Sequence, residues 1–562
     1  MLTRRSGLLA AVTVALVTST LAATPAGATA PPPVTSGSTG AAEVSPTSHA
    51  AHWLLGHPAA RARVARYAAD TWRSLTAMVD PRTGLPADNI DGDLSPATRS
   101  GYTSPTNIGG YLWSTVAARD LGLISGTEAY QRMRATLGTL GTLDRHTPSG
   151  MFYNWYDEAS GQVLHTWPED GSVVHPFLSS VDNGWLAAAL MVVQRAEPRL
   201  AGQARALLAP MDFGMFYDPA AQADQGLPGL LRGGFWDADP GGQTCSVPGN
   251  YLHRGPDVWY TCNHYDITVT EPRIASYIGI ARGQIPPEHY YATHRTFPAS
   301  CDWAWLEQRP VGVTRHYRGV PVFEGAYTYR GMRIVPSWGG DMFEALMPDL
   351  FVPEAVWGPD SWGVNHPLTV RAQIEHGMVE AGYGYWGFSP ASDPQGGYAA
   401  WGVDAIGMDP GGYPSDLART NVDAGYPGCR EGTNPEPTFS DGVVTPHASF
   451  LALPYAPAAA VANLDRLRTR LGAYGPGGFY DAVAVGSDTL ARRYLALDQS
   501  MIMGAVGNVL ADDALHRYFS SPSVAAAIRP LLAPERFGAG WAPSTPGAAD
   551  AQPRRAPAGL PR

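Results

Sequence analysis

Apolar residues recur at three- and four-residue spacing along most of this chain, and loops rich in Gly, Pro and aromatic residues separate one run from the next. Val64, Tyr67, Ala68, Thr71, Trp72 and Leu75 share one helical face, with Gly84 and Pro86 after the stop. Ser104-Pro105 reads as an N-cap and first-turn pair, after which Ile108, Leu112 and Val116 stack at four-residue spacing. Ser125-Gly-Thr-Glu128 reads as a capping box that turns Tyr130, Met133, Leu137 and Leu140 inward. These last two helices are joined by a few residues, so an antiparallel hairpin is expected. The same spacing predicts helices over 182–196, 202–210, 271–282, 287–295, 341–350, 367–381, 445–473 with a break, 498–511 and 522–533. Period-2 alternation is scarce and short, so the pattern predicts an all-α fold. About a dozen paired helices with no linker between them fit one (α/α)6 toroid over residues 51–537 better than two bundles. In such a ring, functional residues belong at helix starts and in the long loops along one rim.

Composition limits the partners. The chain has 562 residues, a formal net charge of -11 and a pI near 5.7, with Lys and Arg scattered rather than striped, which argues against nucleic acid. Its 26 Tyr and 16 Trp suit surfaces that stack on flat apolar faces such as sugar rings, and a large helical core also absorbs many of them. Arg4 and Arg5, the apolar run Leu8 to Ala23 and Ala28-Thr29-Ala30 predict a secretory signal over residues 1–30. Thr3-Arg4-Arg5 fits twin-arginine export as well as the general route. The protein is therefore expected outside the cytoplasm, without membrane insertion and as a monomer. Residues 31–50 and 538–562 are Pro-, Ser-, Thr-, Gly- and Ala-rich and are expected to lie outside the fold. In an exported protein, Cys245, Cys262, Cys301 and Cys429 favour two disulfides, with Cys245–Cys262 closing the shortest loop. No Cys/His ligand spacing is present, so neither a metal nor a cofactor is expected.

Nucleotide-binding loops, GxSxG elbows and HExxH are all absent, which leaves carboxylate chemistry. Phe152-Tyr-Asn-Trp-Tyr-Asp157 offers Tyr153 and Trp155 for stacking and Asp157 for sugar hydroxyls, although Asp157 equally suits a turn. Asp182 and Trp185 open a helix, where Asp182 also complements the dipole. In Ser337-Trp338-Gly-Gly-Asp341-Met-Phe-Glu344, Asp341 is expected to cap the helix. Glu344 sits among Met342, Phe343, Ala345, Leu346 and Met347, where its charged form is disfavoured, as a general acid requires. Glycosidic cleavage needs a second carboxyl group, with Asp157, Asp182, Asp393, Asp404 and Asp441 as candidates. Asp88-Asn-Ile-Asp91-Gly-Asp93 has the look of a calcium loop without full EF-hand spacing, and a solvated loop is the simpler reading.

The segments TGLPAD (83–88), TSPTNIGGYLWSTVAARDLGLIS (103–125), FYNWYD (152–157) and SSVDNGWLAAAL (179–190) resemble the glucoamylase-like (glycoamylase) domains of endo-β-1,2-glucanases and of cyclic β-1,2-glucan synthases. The likeness continues in EPRIASYIGIARGQIPPEHYY (271–291), SWGGDMFEALMP (337–348), YWGFSPASDPQGGY (385–398), DGVVTPHASFLALPYAP (441–457) and LALDQSMIM (495–503). It implies an (α/α)6 barrel, a secreted glycoside hydrolase of β-glucan, Glu344 as general acid, and Asp182 and Asp157 as catalytic-cleft residues. Tyr153, Trp155, Trp185, Trp338, Trp386, Asp393 and Asp441 are the expected sugar-binding residues. Where the cyclising relatives are expected to read WGISES, this chain reads Trp362-Gly-Val-Asn365-His366-Pro367. That departure favours inverting hydrolysis over cyclisation. A transglycosylase and a catalytically silent carbohydrate-binding protein are the alternatives on the same fold, while a uronate lyase would need a basic cluster that this acidic chain lacks.

Overall fold

The computed structural model describes residues 45–242, 244–250, 257–297, 308–408, 423–426, 428, 430–434, 439 and 441–541. The expected signal segment, Cys301 and Cys429 lie outside the described residues.

The helices divide into two kinds by how many faces are apolar. In α1 (Pro105–Asp120) every residue from Pro105 to Ala118 is buried, and α6 (Ala496–Leu510) is buried over nearly its whole length. A helix that is buried all round belongs to an inner layer. Four more helices join these two, namely α2 (Ser180–Ala196), α3 (Arg273–Ala281), α4 (Met342–Leu346) and α5 (Pro446–Leu451). Helix α1 packs on α2, α2 on α3, α4 on α5, α5 on α6, and α6 on α1. The α3–α4 contact is made by Arg273, whose Nη1 and Nη2 donate to the carbonyls of Glu344 and Ala345 at 2.7 Å each.

Two glycines allow the closest approaches. A Cβ on Gly109 would stand 3.0 Å from the Trp185 carbonyl of α2, and one on Gly110 would stand 2.5 Å from Ser500 Oγ of α6. Each inner helix is backed by a helix with one buried face: Gly126–Leu140 on α1, Ala201–Leu208 on α2, Pro522–Leu532 on α3, Trp362–Glu375 on α4, Pro457–Arg470 on α5 and Pro58–Met78 on α6. In Pro58–Met78 the buried residues include all six of the predicted face, from Val64 to Leu75.

The expectation of an all-α chain is corrected, because nine small sheets of two to four strands occur among the described residues. Most strands are two or three residues long, too short to show alternation. The longest pair, Val311–Tyr317 with Val320–Tyr329, hides its period because Val311 to His316 are exposed on both faces. These strands matter to the site because they end where inner helices begin. Phe177–Ser179 runs into α2, Val443–Val444 stops just before α5, and Arg493–Leu495 runs into α6.

The ends also differ from expectation. A helix already runs over Pro46–Gly56, with Ser45 accepting from the Ser48 amide, and Gly540–Trp541 pairs with Met332 and Arg333. The helix expected over 287–295 shrinks to one turn, His289–Ala292. Cys245 and Cys262 are disulfide-bonded beside the Ser246↔Thr261 pair of a hairpin. No helix among the described residues is long and apolar enough to cross a membrane.

Candidate active site

Glu344 occupies the first turn of α4, and Asp341 is the N-cap that accepts its amide at 2.8 Å. The Glu344 side chain turns to the segment before α3, where its Oε2 accepts from the Thr270 hydroxyl at 2.7 Å and from the Glu271 amide at 2.5 Å. Glu271 therefore stands directly against Glu344, and its own Oε2 accepts from the Trp185 indole N–H at 2.7 Å. Burial and the neighbouring Glu344 charge hold the Glu271 carboxyl well above its usual range. Burial raises Glu344 as well, to about 6, against the opposing pull of Thr270, the Glu271 amide and Arg273. Burial and the Glu344 charge thus favour a proton on Glu271 near neutral pH. Asp341 is raised too, by burial first and then by Glu344. Tyr265 is a further neighbour of the pair, its proton held by burial and by the charges of Glu271, Glu344 and Asp182.

Arg273 fixes this pair from beneath. Its Nε donates to Glu354 Oε1 at 2.7 Å, its Nη2 to Glu354 Oε2 at 2.8 Å, and its Nη1 to the Thr270 carbonyl at 2.8 Å. One side chain thus joins the two strands of chain that carry Glu271 and Glu344. Glu354 also accepts from the Tyr277 hydroxyl at 2.7 Å and faces His366 Nε2 at 3.0 Å. Asp349, Glu354 and His366 bring their donor atoms together as a metal site would, but protein partners already occupy them, including Tyr455 on Asp349 at 2.6 Å.

The other expected site residues divide into two groups. Asp182, half-buried in the first turn of α2, accepts from the Thr106 hydroxyl of α1 at 2.6 Å and is a charge neighbour of Glu271. Trp155 contacts Tyr102 and Trp167 at ring separations of 5.4 and 5.7 Å, and all three rings are half-buried at the α1 end of the rim. Tyr153 donates to Asp237 at 2.6 Å, and Trp338, half-buried, packs against the cluster of Ile267, Phe297, Tyr327 and Met408.

Asp157, by contrast, spends Oδ1 on its own turn, accepting from the amides of Ala159 and Ser160 at 3.0 and 2.7 Å. Asp393 does the same for the Gln395 amide, and Asp441 accepts from the Ser487 hydroxyl. Asp404 opens a short 3-10 turn and is buried. Trp185 and Trp386 are fully buried, so Trp185 reaches the site through its indole N–H rather than its face. Asn365 and His366 of the divergent segment are buried as well, Asn365 on both polar groups of Val335 and His366 on Glu354. The segment is a core element behind Arg273.

Asp88 and Asp91–Asp93 do not form a cation loop. Asp91 is exposed and Asp93 accepts from the Ser95 amide, whereas Asp88 turns inward. The residue that local reading missed outright is Glu271. Its only signal was its place two residues before a helix start, in a segment that carried the family likeness. An open depression of about 420 Å³ lined by Trp53, His57, Arg63 and Asp465 lies on the outer layer and contains none of these carboxyl groups.

The chain is similar to several known proteins. Residues 316–523 match the Glycoamylase family model, and residues 66–216 match a model of a family of unknown function. The chain is homologous to the cyclic β-(1,2)-glucan synthase NdvB of Rhizobium meliloti (strain 1021), at 24% identity over 82% of this chain and 18% of that protein. It thus spans less than a fifth of the length of the curated relative. Among solved structures, the endo-β-1,2-glucanase of Chitinophaga pinensis, in complex with sophorotriose and glucose, aligns with a TM-score of 0.56 at 17% identity, over 84% of this chain and 98% of that one. The β-1,2-glucanase of Parabacteroides distasonis aligns with a TM-score of 0.59 at 16% identity, over 84% and 59%. The endo-β-1,2-glucanase of Talaromyces funiculosus, in complex with sophorose, aligns with a TM-score of 0.55 at 13% identity, over 88% and 97%.

Proposed function

We propose that this glycoamylase-like chain is an exported glycoside hydrolase that cleaves β-glucan, acting within β-1,2-linked chains, on a six-pair helical toroid. The observation that carries the chemistry is the Glu271–Glu344 pair, in which the Glu271 amide and the Thr270 hydroxyl both bond to Glu344 Oε2. Protonating a leaving glycosidic oxygen near neutral pH requires a carboxyl that still holds its proton there. The Glu271 carboxyl, held above its usual range by burial and by the neighbouring Glu344 charge, supplies one. Glu344 is the more tightly tethered member, and Glu271, half-buried, is the member less covered by protein. Asp182 and the rings of Tyr102, Trp155 and Trp167 bind and stack the sugar. Glucan relatives with solved structures across the same length support the choice of substrate.

The test is release of reducing ends from β-1,2-glucan, set beside β-1,3-, β-1,4- and α-linked glucans, by wild type, Glu344→Gln and Glu271→Gln. Each variant is expected to lose about 10²- to 10⁴-fold in kcat/KM, the range of general acid catalysis. In residual Glu344→Gln activity the alkaline limb of the pH profile moves to lower pH, because Glu271 no longer has a negative neighbour. Full activity in both variants, or no glucan cleaved by wild type, rejects the proposal.

A further inference from the structure

We infer that Asp88 is the carboxylate that activates water for this reaction, facing the Glu271–Glu344 pair from the opposite side of the ring of helix starts. The inference rests on the hydrolase reading above. The six inner helices pack in the order α1, α2, α3, α4, α5, α6 and back to α1, and the acid pair stands at the α3–α4 junction. Asp88 stands at the α6–α1 junction: Asn107 of α1 donates Nδ2 to its Oδ1 at 2.7 Å, and its carbonyl accepts from the Ala496 amide of α6 at 2.7 Å. In a cycle of six, those two junctions face each other. Inverting hydrolysis calls for this placement, with the acid on the leaving-group side and the base on the opposite face of the sugar ring.

The surroundings of Asp88 suit a base. Its Oδ2 accepts from Asn89 Nδ2 at 3.0 Å, so both oxygens meet amide donors, which favour the ionised form. Neighbouring Thr106 and Asn107 in the first turn of α1 hold Asp182 and Asp88 respectively, which ties the base to the sugar-binding side. Tyr102, which stacks with Trp155 and Trp167, accepts the Asp88 amide on its carbonyl at 2.7 Å. The residue is half-buried and so not sealed from solvent, as a group that must meet a water requires.

Behind it stand three almost wholly buried groups, Asp481, Asp498 and His447. His447 Nδ1 lies 3.1 Å from Asp498 Oδ2, and its Nε2 meets no partner among the described residues. Burial and the nearby Asp481 charge make Asp88 more basic than an ordinary aspartate, while the two amides and the Arg493 charge pull the other way and keep it usable as a carboxylate. In the step, the water oxygen bonds to the anomeric carbon as the bond to the glycosidic oxygen breaks. One water proton passes to Asp88 and the proton of the Glu271–Glu344 pair passes to the leaving oxygen, so one water is consumed per bond.

The experiment compares wild type, Asp88→Asn and Asp88→Ala on β-1,2-glucan, with and without sodium azide, after circular dichroism confirms the fold of each. Both variants are expected to lose at least about 10²-fold in kcat. Azide, which needs no base, is expected to restore Asp88→Ala at least tenfold and to yield a glycosyl azide of inverted configuration, with wild type unaffected. An Asp481→Asn variant is expected to keep most activity and to move the acid limb of the profile to lower pH. A folded Asp88→Asn within threefold of wild type, or a folded Asp88→Ala that azide does not rescue, overturns the role of Asp88 and leaves the hydrolase reading intact. A wild type that cleaves none of the glucans overturns both.

Discussion

Glu344 and Glu354 lie ten residues apart, both buried and both held by Arg273, yet the fold sets their proton affinities in opposite directions. Glu354 meets the guanidinium through two parallel bonds, with Tyr277 and His366 in addition, and Arg273 is the main influence holding it down at about 2 despite its burial. Glu344 meets Arg273 only through its backbone carbonyl, and its carboxyl has a second carboxyl as neighbour. Burial alone therefore does not make an acid. The deciding factor is a paired opposite charge: the two-point guanidinium contact outweighs burial at Glu354, whereas the Thr270 hydroxyl, the Glu271 amide and the more remote Arg273 charge leave burial dominant at Glu344. The same guanidinium fixes the structural carboxylate and positions the reactive one.

The strongest way to break this comparison is to neutralise each carboxyl in turn. Glu344→Gln is expected to lose about 10²- to 10⁴-fold in activity with a melting temperature close to wild type, because it removes a repulsion. Glu354→Ala is expected to unfold more readily, by about 3–5 kcal/mol in urea titrations, because it leaves Arg273 buried without its counter-charge. Equal stability loss in the two variants would contradict the contrast.

A smaller test uses pH. The Glu354 carboxyl lies below its unfolded value of 4.5, at about 2, so its contribution to stability is fully present above 4.5 and is lost as pH falls toward 2. Wild-type stability is expected to fall across that window, and Glu354→Gln, measured over the same range by chemical denaturation, is expected to show a shallower fall.

Smaller again is Trp185→Phe. It removes the indole donor that favours ionised Glu271, so the alkaline limb of activity is expected to move up by a fraction of a pH unit, with rate losses of a fewfold. A shift to lower pH would contradict the assignment. Asp157→Ala closes the series: a turn residue is expected to cost about 1 kcal/mol of stability and leave kcat within threefold. A large drop in kcat would return Asp157 to the chemistry.

Much of the fold was legible because helical spacing and caps are local. Ser104, Ser125 and Asp341 each accept the amide three residues on, as their positions suggested, and α1 and α2 lie where the apolar spacing put them. The small sheets were not legible, since strands of two or three residues are fixed by distant partners such as Asn89↔Leu495. The site was half legible. Glu344 stood out by its apolar neighbours in sequence, whereas Glu271 had no such mark, because its relevant neighbour is 73 residues away.

Sequence by itself determined most of the longer helices, their caps and the kind of chemistry to look for, and it marked Cys245–Cys262 as the pair that closes the shortest loop. Tertiary structure decided which carboxyls meet. It set Glu271 against Glu344, brought Asp88 between α1 and α6, and withdrew Trp185 and Trp386 from any sugar. The physical reason is range: capping and amphipathic spacing act within one or two turns of chain, whereas proton affinity depends on every charge and donor within a few ångströms, whatever its place in the sequence.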